Sequence, residues 1–165
     1  MRVALAAFAA LLALGACSAG QKTTAFRNAY TPIWSAAAFA PAQVSGSWRQ
    51  VAAFASAPGD CRAGAVDVTP VATGLAVKGT LCLNGKAQGI DTVARPVGPG
   101  RLSVGGTEDW WVLWVDSGYR TLAIGTPSGQ FGFVLDRGAI SPDRLAAAAE
   151  IFDFNGYAAG ALRPF

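Results

Sequence analysis

Histidine is absent from this 165-residue chain, and charged residues make up only 14% of it. Without an imidazole, neither a Ser-His-Asp triad nor a Cys-His pair can form, and the commonest zinc and copper ligand is missing. The net charge of +3 comes from scattered Lys and Arg residues, which argues against a surface that follows nucleic-acid phosphates. We therefore expect no enzyme activity, catalytic residue, metal, cofactor or nucleic-acid partner.

Cysteine is also scarce, and the first of the three lies near the N-terminus. Met1-Arg2 is followed by an apolar run over residues 3–14, which is typical of a secretory signal peptide. The run is too short for a membrane-spanning helix, which needs about 20 apolar residues. The segment LGAC that ends at Cys17 resembles the lipobox of bacterial lipoproteins, in which the cysteine is lipidated. An ordinary cleaved signal peptide is the alternative interpretation.

These signals divide the chain into a lipoprotein signal peptide over 1–16, a lipid-anchored tether and lead-in over 17–43, and one domain over 44–165. The lead-in is rich in Ala, Ser, Thr and Pro, and its Trp34 and Phe39 are candidates to dock on the domain. Ser18 follows the candidate lipidated cysteine. An Asp at that position is the usual inner-membrane retention signal in enteric-type bacteria. Because Ser18 takes its place, we expect the protein to be anchored by its lipid in the bacterial cell envelope, at the outer membrane and facing the periplasm.

The remaining cysteines, Cys61 and Cys82, are an even pair in a chain that we expect to be exported. Such a pair favours a disulfide, which would stabilise the fold by about 3 kcal/mol. Two free thiols or a metal-binding pair are the alternatives.

Short runs rich in Val, Leu, Trp, Phe and Thr follow residue 46, separated by turn signals such as Asn84-Gly85. Eight of them are predicted strands, over residues 46–55, 65–70, 74–83, 86–97, 101–104, 109–116, 119–126 and 130–137. A sandwich or an up-and-down barrel would fit, and eight strands suffice to close a barrel around one small ligand.

A single helix is predicted after the strands. Ser141 is a good N-cap, Pro142 suits the first helical position, and Asn155-Gly156 supplies a stop. The sequence therefore predicts an all-β up-and-down antiparallel β-barrel with one C-terminal α-helix packed outside it. We expect the last residues to return along the barrel wall as a short extended piece.

Three short patterns occur in a fixed order along the predicted strands. They are a GxW formed by Gly46 and Trp48, a DxxY formed by Asp116 and Tyr119, and Arg137 at the end of the last main strand. This order, followed by one helix, resembles the lipocalins, and among them the bacterial lipocalins that are outer-membrane lipoproteins. The resemblance covers residues 44–164 and implies an eight-stranded barrel.

The resemblance also implies roles for some of these residues. Trp48 would close one end of the barrel with Arg137 across its ring, a cation–π contact. Cys61 and Cys82 lie where many bacterial lipocalins have a disulfide pair. The chain departs from the family pattern at Arg49, Gln50, Ala53 and Phe133, which leaves the ligand open. Residues 66–104 are compressed, which implies short strands or hairpins there.

The candidate ligand site is the barrel interior. We expect Trp110, Val112 and Trp114 to point inward and to line an apolar cavity with Phe54, Phe131 and Phe133. Such a cavity suits a fatty acid, a lysophospholipid or a similar lipophilic molecule, held for storage or transport. Two alternatives stay open: a solidly packed barrel that acts through an envelope partner, and a lipid isomerase that would need a free thiol. The oligomeric state is not predicted.

Overall fold

Eight antiparallel strands form a closed barrel in the computed structural model, which describes residues 25–57 and 61–165. The expected signal peptide and Cys17 lie outside the described residues. The eight strands are β1 (Gly46–Phe54), β2 (Ala65–Val71), β3 (Gly74–Leu83), β4 (Lys86–Gly98), β5 (Arg101–Val104), β6 (Trp110–Val115), β7 (Thr121–Gly125) and β8 (Gly132–Asp136). Each strand pairs with the next, and β1 pairs with both β2 and β8, which closes the barrel. The predicted fold class is confirmed.

Residues 66–104 form their strands within a short stretch of chain because the turns that connect these strands are short. Two-residue turns connect β2 to β3, β3 to β4 and β4 to β5. In the middle one, Asn84 has φ 50° and Gly85 has φ 74°, the backbone that an Asn-Gly hairpin turn favours. The expectation of short hairpins is therefore correct. Among the strands there, β5 is short, with four residues, whereas β4 has 13, close to its predicted range of 86–97.

Side chains alternate along each strand and so divide the core into two clusters. The inner cluster fills the barrel, and the outer cluster lies between the barrel wall and helix α1 (Pro142–Phe154). The helix begins and ends where predicted, with Ser141 as N-cap and Asn155 as C-cap. A ninth strand, β9 (Leu162–Pro164), pairs with the end of β1. No helix among the described residues is long and apolar enough to cross a membrane.

The lead-in completes the barrel wall where β5 is too short to do so. The N–H of Ala36 donates to the carbonyl of Val112 (2.8 Å), and the N–H of Val112 donates to the carbonyl of Gly100 (2.8 Å). This path delivers Phe39 into the inner cluster, ahead of a 3₁₀ helix over Pro41–Val44. The side chain of Trp34 is 61% exposed, so only the backbone of that residue docks.

Candidate functional site

Residues of the three sequence patterns meet at one end of the barrel. The guanidinium carbon of Arg137 lies 4.2 Å from the ring centroid of Trp48, which is fully buried. The same guanidinium donates to the carbonyls of Tyr119 (2.8 Å), Ser45 (3.0 Å) and Gln43 (3.0 Å). Arg137 thereby ties the lead-in and the β6–β7 turn across the Trp48 ring. This end of the barrel is closed.

Glycine is required at position 46 by the same arrangement. Gly46 has φ +110°, and a Cβ there would lie 3.0 Å from Nη1 of Arg137. A side chain would therefore be strained by this backbone conformation and would push the guanidinium by a few tenths of an ångström.

The turn between β6 and β7 is organised by Asp116. Its Oδ1 accepts hydrogen bonds from the backbone N–H groups of Arg120 (2.6 Å) and Thr121 (2.7 Å). Burial by itself raises the pKa of Asp116, but these hydrogen bonds and the Arg120 guanidinium outweigh burial and hold the pKa below its usual 3.8. The ionised carboxylate therefore stabilises the turn.

We predict that Asp116 contributes to acid sensitivity. Because its pKa is lower in the folded state, its contribution is complete above pH 3.8 and is lost as the pH falls through the folded value. Asp116→Asn should lower the free energy of unfolding by about 1.5 kcal/mol at neutral pH. Below pH 4 the difference between this variant and wild type should shrink, because wild type loses the contribution of the ionised carboxylate there. Urea unfolding at several pH values measures both. Asp91→Asn, at a largely exposed ion pair with Lys78, is the control and should change little.

Cys61 and Cys82 form a disulfide, which confirms the predicted pair. Beside it, sequence analysis missed the role of Gln50, whose side chain is 1% exposed. Its Oε1 accepts from the N–H groups of Cys82 (2.7 Å) and Gly64 (3.2 Å), and its Nε2 donates to the carbonyl of Cys82 (2.8 Å). Gln50 thus connects β1 to β3 and to the segment before β2. The only sequence signal for this role is that Gln50 is a polar residue inside an otherwise apolar strand.

The barrel interior contains a small apolar cavity of about 30 Å³. Two or so water-sized spheres would fill it, whereas ligand pockets usually measure about 300–1,000 Å³. Every residue that lines it is apolar or aromatic: Phe39, Val44, Val66, Val68, Leu75, Val77, Leu102, Trp110, Val112, Leu122, Ile124 and Leu135. Within the described residues, no group of three His, Cys, Asp or Glu side chains could hold a metal ion.

Three aromatic rings fill the barrel between this cavity and the end of the barrel opposite Trp48. Phe131 is followed by Phe133 at a centroid distance of 6.3 Å, and Phe133 meets Trp110 edge-on at 5.2 Å. Trp110 lines the cavity and is 2% exposed, yet its Nε1 has no hydrogen-bond partner among the described residues. The interior therefore contains one buried, unpaired donor.

The inward side chains are not all those expected. Trp110, Val112, Phe131 and Phe133 belong to the inner cluster, but Phe54 and Trp114 belong to the outer one. The expected inward orientation of these last two is wrong because a register shift interrupts each strand. One lies between Gln50 and Ala52 in β1 and the other between Val112 and Trp114 in β6. Each shift reverses the alternation for the residues that follow.

The other end of the barrel is its mouth, formed by the turns β3–β4, β5–β6 and β7–β8. A depression of about 250 Å³ lies there, with Phe131 in its floor. The residues lining it are Leu83, Asn84, Gln88, Gly106, Thr107, Glu108, Gln130 and Phe131. Glu108 is the one charged residue among them, and its carboxylate accepts hydrogen bonds from the N–H (2.8 Å) and hydroxyl of Ser128.

Comparison with known proteins rests on structure alone. No family model and no curated protein matches the sequence. Among solved structures, lobster apocrustacyanin A1 is similar with a TM-score of 0.54 at 11% identity, over 74% of this chain and 77% of that one. The siderocalin Ex-FABP is similar with a TM-score of 0.55 at 14% identity, over 73% of this chain and 91% of that one. Both are lipocalins.

This chain has the lipocalin fold. The closed end built on Trp48 and Arg137 and the mouth above Phe131 are the two ends of that barrel. The siderocalin is described as functioning through dual ligand specificities.

Proposed function

We propose that this protein is a lipid-anchored binding protein of the bacterial cell envelope, which holds a small lipophilic molecule in its barrel for storage or transport. The apolar lining of the cavity supports the proposal, because an alkyl or ring system would gain hydrophobic burial there. The observation that carries it is the indole of Trp110. Protein cores satisfy nearly all of their buried donors, whereas Nε1 of Trp110 has no partner within the described chain.

A ligand larger than the present cavity needs more room, and Phe131 is the residue that can supply it. Its ring forms the floor of the mouth and heads the series of aromatic rings that leads to Trp110. Its carbonyl, in contrast, accepts a hydrogen bond from the buried hydroxyl of Tyr157 (3.1 Å), which fixes the backbone. Opening therefore proceeds by rotation of the Phe131 side chain.

We predict that Phe131→Ala binds lipophilic molecules about ten-fold more tightly than wild type, because no buried ring has to be displaced. The measurement is a titration with N-phenyl-1-naphthylamine, a neutral lipophile that fluoresces when it enters an apolar site. Phe26→Ala is the matched control, since Phe26 is similarly buried but lies in the outer cluster. It should bind like wild type. No saturable binding by wild type or Phe131→Ala would refute the proposed function.

The small cavity favours a second candidate, in which a solidly packed barrel docks an envelope partner without holding a ligand. The cavity volume of about 30 Å³ is the observation that supports this second candidate. The two candidates differ in the titration above, because a packed structural barrel gives no saturable response even when Phe131 is removed.

The lipid anchor at Cys17 is a separate part of the proposal and rests on the LGAC segment. Mass spectrometry of the N-terminal peptide from the envelope fraction should find a diacylglyceryl-modified Cys17, and Cys17→Ser should release the protein from membranes. Ser18→Asp should move it from the outer to the inner membrane in an enteric-type host. An unmodified Cys17 in the mature protein would refute the anchor but not the binding function.

The lipid isomerase alternative needs a thiol nucleophile. Cys61 and Cys82 are joined to each other, so neither supplies one in the folded barrel. A free-thiol assay on the exported protein tests this directly, and a reactive Cys61 or Cys82 would restore the alternative.

A further inference from the structure

We propose that the barrel selects electrically neutral lipophiles with a hydrogen-bond acceptor and no donor, such as an ester, ketone or ether, over fatty acid anions and lipid phosphates. This inference rests on the proposed binding function and narrows its ligand class. Three independent observations support it: an unpaired donor inside the barrel, the lack of a cation lining the cavity, and the charge of the mouth.

The donor is the indole N–H of Trp110. It is buried beside a cavity whose lining offers no acceptor, and the Trp110 ring is held against Phe133. A buried water needs two to four polar partners, so a cavity that offers one donor is a poor site for it. A carbonyl or ether oxygen on an otherwise apolar molecule satisfies Nε1 and brings no donor that the apolar wall would leave unpaired.

The cavity has no group that could neutralise an anion. Its lining contains no Lys or Arg and no polar side chain other than the indole of Trp110. A carboxylate or phosphate taken inside would be buried without a counter-charge, which is far more costly than burying a neutral oxygen. An anionic head group would have to remain at the mouth.

The mouth does not favour an anion either. Glu108 is the one charged residue among those that line the depression, and its carboxylate repels a second negative group. Lys86 follows the neighbouring β3–β4 turn but does not line the depression. The mouth therefore admits neutral head groups more readily than anionic ones.

The test uses four probes with the same alkyl chain: a long-chain fatty acid, its methyl ester, the matching primary alcohol and the matching alkane. Each displaces N-phenyl-1-naphthylamine from the full mature protein at pH 7. We expect the ester to bind about five-fold more tightly than the alkane, the gain of one neutral hydrogen bond, and the alcohol to bind less tightly than the ester because its O–H finds no acceptor in the cavity. The acid, ionised at this pH, should bind on the order of 100-fold more weakly than its ester.

Trp110→Phe isolates the donor, because it keeps a ring and removes the N–H. This variant should bind the ester and the alkane equally well. Alkane binding also reports that the variant has folded. Trp111→Phe is the matched control, since its side chain packs against the outer cluster beneath Arg101, and it should keep the five-fold preference.

Several outcomes would overturn the inference. Equal binding of ester and alkane by wild type would show that Trp110 selects nothing, and tightest binding of the acid would show that the barrel prefers anions. Loss of acid binding in Lys86→Gln would then place that head group at the mouth. Displacement by none of the four probes, with no binding of the fluorescent lipophile itself, would instead refute the proposed function as well.

Discussion

Replacing Trp48 with alanine should lower the free energy of unfolding by about 3–5 kcal/mol. The side chain is fully buried, its Nε1 donates to the carbonyl of Val44 (2.8 Å), and Arg137 covers its ring. Its removal would leave a cavity at the closed end and an unsupported guanidinium. Arg137 would then hold the carbonyls of Gln43 and Ser45 above empty space. Urea unfolding followed by circular dichroism at 215 nm measures the loss, in the range where β-sheets absorb.

Two further variants separate the contributions. Trp48→Phe keeps a ring for the guanidinium but loses the hydrogen bond to Val44, so it should lose less than half as much stability as alanine. Trp34→Ala removes an indole that is 61% exposed and should change the unfolding free energy by less than about 0.5 kcal/mol. If Trp48→Ala cost no more than Trp34→Ala, the closed end would not depend on the Trp48 ring.

Parts of the closed end were predictable because their determinants are local, whereas the contact of Arg137 with Trp48 was expected only from the resemblance to the lipocalins. Gly46 and Trp48 are two residues apart, and Asp116 caps a turn whose hydrogen bonds reach only to Arg120 and Thr121. The strands were predictable for a similar reason, since tight turns such as Asn84-Gly85 set their limits. Each of these features depends on residues within about five positions of one another.

The inner face could not be predicted residue by residue, because one irregularity in a strand reverses every side chain beyond it. Phe54 and Trp114 are aromatic residues of the kind that lines a cavity, but they come after the register shifts in β1 and β6 and so point outward. An alternating pattern does not show where an extra residue is inserted. The sequence therefore predicts an aromatic interior but not which aromatics form it.

Long-range contacts were the other part that sequence reasoning missed. Ala36 extends the wall by bonding to Val112, 76 positions away in the chain, and so brings Phe39 inside. The loop-like composition of the lead-in left Phe39 a candidate to dock but did not show the backbone contact that brings it inside. The order of the lead-in comes from the gap beside β5, which only the folded barrel creates.

Gln50 is the clearest case of such a long-range contact, and its replacement should have the second largest effect. Gln50→Leu keeps the size of the side chain but leaves the N–H and carbonyl of Cys82 and the N–H of Gly64 without their partners. A buried polar group that loses its partner costs about 1–3 kcal/mol. We expect a loss of about 3 kcal/mol or more in unfolding free energy, measured by urea unfolding under oxidising conditions.

A double-mutant cycle with the disulfide tests why this loss is large. Gln50 and the Cys61–Cys82 bond both connect β3 to the segment before β2, so each loses part of its effect when the other is absent. Gln50→Leu combined with Cys61→Ala and Cys82→Ala should therefore destabilise the protein by less than the sum of the separate changes. Gln88→Leu, at an exposed glutamine of β4, is the control and should change little. Full additivity would mean that Gln50 acts on the barrel independently of the disulfide, as an ordinary buried hydrogen-bonding group.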